Sequence, residues 1–594
     1  MTLIAGIISR RNQPLPDGTC ASLAQSISRN SADEVIVFQG RSSYFVKVDI
    51  GAFSGAGFYV DADGVQSLLT GEPLLVAADD DSASSPASRL QDLTTLHDQF
   101  VQNNWNVLRQ ADGVFSIVQY QPGTGTLTLA ADKLGVRPLY FWLDDEFVVF
   151  ASALRVLEEC ALVPKKMDLR AVTEMVGLSF ALADRTPYSG ISLLQPAEVV
   201  QITSDAARRR RYWRWDEIEV SAEPEESRLA TVYDCFQSAV KRRLGRDKTT
   251  AAYLSGGLDS RCIVAALRDH DARVYTVNFA RPETQDDYFG NRFAEQIGSS
   301  HQSVPRAAGD TVPDYSMLMA PVLAGIAREN RNTGRLRAER PRVVWSGEGG
   351  SVLLGHVHLS AQIVELMRAG KLDRAVDEYL EREQVHVPRK LFRKDILEDA
   401  RDVIKQGIRE ELDQWHAPDA GRNFYLFLML NEQRRKLTAH FENIDRHGLE
   451  FQLPFFDGRF VAAVVATPLD VCLRHKFYVK WLSQFPPAVR EVGWQAYPGH
   501  EPCPLPAPAE LDYQWDGECQ AKENSARKQR VVKQASDLLR AADFPDQIIN
   551  RRNLRLAAWM HARGWRDYHY ALEAAQTYYA YSKKCGGEFT LSLS

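Results

Sequence analysis

Residues 251 to 261, Ala-Ala-Tyr-Leu-Ser-Gly-Gly-Leu-Asp-Ser-Arg, constrain the fold more than any other stretch of the 594-residue chain. The run Ala251 to Leu254 reads as a buried strand. Ser255, Gly256, Gly257, Leu258, Asp259 and Ser260 then turn sharply. Ile263, Val264, Ala265, Ala266 and Leu267 continue as the apolar stripe of a helix. Strand, glycine loop and helix N-terminus in that order make an anion site. The glycines let the backbone come close, and the first helical N–H groups with the helix dipole hold the charge. Ser255 and Ser260 add hydroxyl donors. Asp259 repels a phosphate unless a cation lies between them. Mg2+, which takes oxygen ligands and bridges phosphates, fits there, so Asp259 is the expected metal ligand.

Composition narrows the function classes. The chain is 45% hydrophobic and 25% charged, the balance of an ordinary soluble protein, and its length suggests two to four domains. A net charge of -6 gives no reason to expect nucleic acid as a partner. The basic run Arg208 to Arg211 reads as a solvated face. Cys20, Cys160, Cys235, Cys262, Cys472, Cys503, Cys519 and Cys585 form no C-x-x-C pair, so reduced thiols are expected. No apolar run approaches the roughly 18 residues of a membrane span, and no signal peptide is evident, so a cytoplasmic protein without membrane contact is expected.

Up to about residue 165 the pattern is β-rich. Short strands are expected at Leu3 to Ile8, Val35 to Phe38, Tyr44 to Val48, Val114 to Tyr120, Leu127 to Ala130, Leu139 to Trp142 and Phe147 to Phe150. Residues 166–225 read as a linker and 226–515 as the α/β domain. A polar and aromatic extension follows over 516–594. Val274 to Phe279 reads as a buried parallel strand, and in a doubly wound sheet ligands sit at the carboxyl ends of strands. Residues 360 to 450 read as helical, and Arg434-Arg435 as either facing an anionic substrate or forming a surface pair. Trp559, Trp565 and Tyr578 read as core packing of a helical cap, with partner binding the alternative.

Several segments resemble known families. Ser255-Gly256-Gly257-Leu258-Asp259-Ser260 resembles the pyrophosphate loop of ATP pyrophosphatases, and lacks the Gly-Lys-Ser/Thr of a P-loop. Asp112-Gly113-Val114-Phe115, the run Ala131 to Tyr140, and Ala151-Ser152-Ala153 resemble the glutaminase domain of class B asparagine synthetases. Ser346-Gly347-Glu348-Gly349-Gly350-Ser351-Val352 resembles the family's second loop, with Ser351-Val352 where the family has Asp-Glu. Glu450 to Phe460 and Lys476 to Lys480 resemble two further family segments.

The resemblance implies an N-terminal Ntn-hydrolase-like αββα sandwich and a C-terminal adenine-nucleotide α-hydrolase-like (PP-loop) domain. That domain would hold a parallel sheet with helical additions. It implies ATP and Mg2+ as cofactors. Leu254 to Ser260, Val277, Asn278, Phe279, Ser346, Gly347 and Glu348 would bind the nucleotide, and Asp259 the metal. Lys476 would stabilise pyrophosphate, Glu450 would help deprotonate an amine, and Glu348 would orient the acyl group or cap a helix. The family's N-terminal nucleophilic cysteine is replaced by Thr2, so a glutaminase shell without glutaminase chemistry is expected, with an active threonine as the alternative. β-Lactam synthetases and lasso-peptide cyclases share that pattern. The implied reaction joins a small-molecule or peptide carboxylate to an amine or ammonia through an acyl-adenylate, within one substrate or between two. A true asparagine synthetase and a degenerate ATP-binding or regulatory protein are the alternatives. The chain is compatible with a homodimer.

Overall fold

The computed structural model describes residues 2–53, 55–75, 89–305, 342–386, 390–394, 400–513 and 517–591, with positions 319, 323, 388 and 396. The N-terminal strands are β1 (Thr2–Ser9), β2 (Val35–Gln39), β3 (Ser43–Asp49), β4 (Phe58–Val60), β5 (Gln66–Gly71), β6 (Phe115–Gln121), β7 (Thr126–Ala131), β8 (Tyr140–Leu143) and β9 (Phe147–Ala151). β10 (Met167–Asp168), β11 (Ile191–Leu193), β12 (Glu198–Ile202) and β13 (Ala207–Arg211) follow. Two antiparallel six-stranded sheets result, in the orders β11-β8-β9-β1-β3-β2 and β13-β12-β7-β6-β5-β4. The expected strands are all present, shifted by a residue or two. β4 and β5 are additional: β4 is only three residues long, and the polar residues at both ends of β5 hide its pattern.

β1 is apolar on both faces because both are covered. Ile4 and Ile8 pack with Val118, Leu129 and Phe150 between the sheets, whereas Leu3, Ala5 and Ile7 pack with Leu23 and Ile27 outside them. Leu93, Leu96 and Phe100 of the helix Arg89–Val101 cover the second sheet with Leu69 and Ile117. The layering is αββα. Residues 166–225, expected as a linker, supply β11 to one sheet and β12 and β13 to the other. The correction has a simple cause: Val199, Val200 and Ile202 complete the apolar layers that β7 alone leaves open. Arg208 to Arg211 lie on β13, mostly exposed, as a solvated edge.

A five-stranded parallel sheet forms the C-terminal body, built of β14 (Thr249–Tyr253), β15 (Arg273–Asn278), β16 (Ser300–Ser303), β17 (Val343–Trp345) and β18 (Glu450–Gln452). Its order is β16-β15-β14-β17-β18. The chain therefore moves outward from β14 in one direction, then returns to place β17 on the other side, where Ala251 pairs with Val344. The switch point lies between β14 and β17, where such sheets open a crevice at their carboxyl ends.

Two expectations are corrected by burial. Arg434 and Arg435 neither face a substrate nor sit on the surface. Arg434 is buried and donates to the carbonyls of Leu194 and Ala183, and Arg435 donates to those of Ala183 and Arg185, which ties the helix Arg434–Glu442 to the sandwich. Tyr578 is buried in the C-terminal helices, but Trp559 and Trp565 are 42% and 66% exposed and do not pack a core. Among the described residues no helix is long and apolar enough to cross a membrane, and the described cysteines are free thiols.

Candidate functional site

Both loops at the switch point are shaped by their own sequence. After β14, the Ser255 amide donates to Ser260 Oγ at 2.9 Å, the two hydroxyls lie 3.0 Å apart, and the Gly257 amide donates to Ser255 Oγ. The serines thus close the loop before the helix Asp259–Asp269 begins. The Gly256 amide donates to Asp286 Oδ1 at 2.8 Å, and a Cβ at Gly256 would meet the Asp286 backbone at 2.7 Å. After β17, Ser346 to Gly350 fold onto the same helix N-terminus. A Cβ at Gly350 would stand 2.6 Å from Asp259 Cγ, so only glycine lets the second loop reach the first. Arg261 does not bind an anion. It is buried and donates to the carbonyls of Val489, Val492 and Gly493, fixing the segment that leads to Trp494.

Asp259 lies at the meeting point. Its Oδ1 accepts from Tyr478 OH at 2.7 Å and from Ser351 Oγ at 2.9 Å, and its Oδ2 accepts from the Ser351 amide at 2.9 Å. Burial raises its pKa to about 6, against the pull of these three donors. Burial likewise raises that of Asp286.

Around these loops a cleft opens in two lobes. The larger, of about 630 Å³, is lined by Leu254, Ser255, Asp259, Ser260, Val277, Asn278, Phe279, Ser346, Gly347 and Glu348, with Tyr253, Gln433, Lys436, His440 and Phe451. The smaller, of about 130 Å³, is lined by Gly257, Leu258, Trp494, Gln495, His475, His500, Glu501 and Tyr513. Ser255, Asp259, Asp286, Ser351 and Tyr497 belong to both. Of the expected nucleotide residues, Gly256 alone lines neither lobe, and it holds Asp286 in place from behind. Among the described lining residues, Lys436 carries the fixed positive charge, and its Nζ lies 2.6 Å from Glu432. A π-helical turn, Leu428–Gln433, brings Gln433 to the wall.

The cleft leaves out two expected catalytic residues. Glu450 is fully buried and its Oε1 accepts from Arg137 Nη2 at 2.5 Å. Lys476 is exposed at the start of the helix Lys476–Trp481 and lines neither lobe. Sequence reasoning gave no role to Tyr478, which projects from that helix onto Asp259. Its position two residues after Lys476 was the available signal. His475 and His500 were also without a role. Their Nδ1 atoms lie 2.8 Å apart, and burial lowers their pKa values to about 3 and about 4. Asp457 caps the helix Gly458–Ala466. His301 bonds Thr276 Oγ1 at 2.9 Å, as a structural histidine does. The Thr2 side chain lies outside the described residues.

Residues 90–213 match the family model described as a glutamine amidotransferase domain, and residues 231–482 match asparagine synthase. The chain belongs to the asparagine synthetase-like family. The chain is 26% identical over 212 residues to asparagine synthetase (glutamine-hydrolyzing) 3 of Bacillus subtilis (strain 168), covering 34% of this chain and 33% of that protein. It is 23% identical over 238 residues to asparagine synthetase 1 of the same organism, covering 39% and 33%. It is 25% identical over 205 residues to the asparagine synthetase of Pongo abelii, covering 32% and 35%. These alignments span about a third of the length of each relative. In this family member the parallel sheet and its two loops are the PP-loop part, and the antiparallel sandwich is the amidotransferase-like part.

The donors at Asp259 suit Mg2+. Asp259 and Ser351 present oxygen atoms only, and the hydroxyls of Ser351 and Tyr478 are able to reorient. Ser351 contributes a neutral oxygen where a second carboxylate would contribute charge.

Proposed function

We propose that the chain forms an amide bond between a carboxylate and an amine, splitting ATP into AMP and pyrophosphate. The carboxylate oxygen attacks the α-phosphorus, and the bond to the β-phosphate breaks. The amine nitrogen then attacks the acyl carbon, AMP leaves, and the amine gives up a proton. One observation carries the reading: two glycine loops meet at a topological switch point, on a cleft lined by Ser255, Ser260, Asp259 and Glu348. ATP lies in the larger lobe, with the base between Leu254, Val277 and Phe279 and the phosphates toward Ser255 and Ser260. Asp259 with Ser351 holds Mg2+, which when bound neutralises phosphate charge. Glu348, on the wall of the cleft, orients the acyl group and takes the amine proton. Glu450 serves through Arg137, as a positioning residue for β18 and its neighbour Phe451. Lys476 acts on pyrophosphate only if its side chain turns in from solvent. The sandwich is a glutaminase-like shell without glutaminase chemistry, and the amine or ammonia comes from solution or from the substrate itself.

A second reading has an observation of its own. Both oxygens of Asp259 are engaged by donors of the chain, which suits an ATP-binding protein without ligase chemistry. Isotope transfer separates the two. With an 18O-labelled carboxylate substrate, one label passes to AMP if the acyl-adenylate forms. ATP binding with neither label transfer nor AMP formation supports the second reading.

A further inference from the structure

The C-terminal helix Arg551–Ala562 buries Leu554, Ala558 and His561 against its neighbours and turns a different face outward. That outer face repeats at helical spacing: Arg552, Arg555, Leu556, Trp559 and Arg563, continued by Trp565 and Arg566, all exposed. Leu556 is 54% and Trp565 66% exposed, unusual for side chains whose burial is worth about 2 kcal/mol each. The aromatic part is built rather than loose. Arg563 lies 4.1 Å from the Trp559 ring centre and 5.6 Å from that of Trp565, and the two indoles meet edge to face at 4.7 Å.

The charge of this face is one-sided. Residues 551 to 566 contain five arginines and no Asp or Glu, within a chain of net charge -6. Arg551 pairs with Asp546 at 2.8 Å, whereas Arg552, Arg555, Arg563 and Arg566 make no ion pair among the described residues. Unneutralised arginines around exposed tryptophans combine the side chains that dominate protein recognition. Trp559 already carries Arg563 on its ring and Trp565 against its edge, so it offers a base no open stacking platform of the kind single-stranded nucleic acids use.

We propose that this face docks an acidic segment of a partner protein, whose apolar side chain seats against Leu556, Trp559 and Trp565 while its carboxylates pair with Arg552, Arg555 and Arg566. Arg563, stacked on the indoles, holds the aromatic pair in shape. The site is separate from the nucleotide cleft, so the proposal stands whatever reaction the cleft performs.

Fluorescence anisotropy on the full chain tests it, using a labelled peptide of alternating Glu and Leu or Phe. Companion probes are its Lys-for-Glu counterpart, oligouridine RNA and phosphatidylserine vesicles. The expected result is saturable binding of the acidic peptide, weakened by about tenfold in Trp565→Ala and in the Arg552→Glu/Arg555→Glu double variant. It weakens further as salt rises from about 50 to about 500 mM, and the Lys peptide does not bind. All three substituted side chains are exposed, so the variants should melt as the parent does, which a thermal scan checks. The proposal is overturned if the acidic peptide does not bind, if the variants bind it unchanged, or if RNA or vesicles bind more tightly with the same dependence on these residues.

Discussion

At the scale of single residues, Asp259 carries the most consequence. Its pKa is raised by burial from 3.8 to about 6, so the folded protein binds a proton there that the unfolded chain has released. Protonation therefore favours the fold. That contribution is complete below pH 4 and is lost as pH rises through about 6, at a cost on the order of 3 kcal/mol by neutral pH. Asp259→Asn removes the charge, and the hydroxyls of Ser351 and Tyr478 can turn to suit the amide. The variant should melt higher than the parent at pH 8, with the gap closing below pH 4, while losing ATP-dependent activity. Thermal scans across that range check the sign: a variant less stable than the parent at pH 8 contradicts it. Asp259 itself was legible from its place after two glycines. Its partner Tyr478 was not, because nothing in the sequence says which face of a short helix meets a loop more than two hundred residues earlier.

At the scale of elements, function depends on two loops packed closely enough to share one carboxylate. Gly350 permits that approach. Gly350→Ala places a methyl 2.6 Å from Asp259 Cγ, and the expected cost is about 1–3 kcal/mol of stability together with at least about tenfold weaker ATP binding. Denaturant melts and nucleotide titration measure both, and unchanged ATP affinity contradicts the role given to this contact. The elements were the most readable part of the chain. The strands β1, β3, β7, β14 and β15 announced themselves through runs rich in apolar and β-branched residues, because both of their faces are covered. β4 and the arginine-rich β13 did not, since edge strands bury little: β4 is only three residues long, and the composition of β13 matches that of a loop.

At the scale of the whole molecule, buried charges join the sandwich to the parallel-sheet body. Across the boundary Asp112 bonds Arg242 at 3.3 Å and Arg137 meets Glu450, while Asp112 also bonds Lys133 Nζ at 2.9 Å on the sandwich side and Asp457 receives Arg242 and Arg243 at 2.7 Å each on the other. Lys133 and Arg137 belong to the run Ala131 to Tyr140, which resembles the glutaminase domain. Arg137 binds the other half through Glu450, whereas Lys133 pairs with Asp112 inside the sandwich. No local pattern could reveal the Arg137 contact, because Glu450 lies 313 residues away. Arg137→Ala leaves Glu450 as a buried uncompensated charge, and should cost about 3–5 kcal/mol. Arg137→Met with Glu450→Met removes both charges and should recover most of it, and calorimetry should show one shared transition for the two halves. Two separate transitions in the parent protein contradict that coupling. The measurement that bears most directly on the central claim is ATP–pyrophosphate exchange with a panel of amino acids, other carboxylates and peptides, run on the parent protein and Asp259→Ala. An adenylating synthetase gives exchange that depends on a particular carboxylate and disappears in Asp259→Ala. Exchange that persists in Asp259→Ala, or bound ATP that no carboxylate brings into exchange, contradicts it.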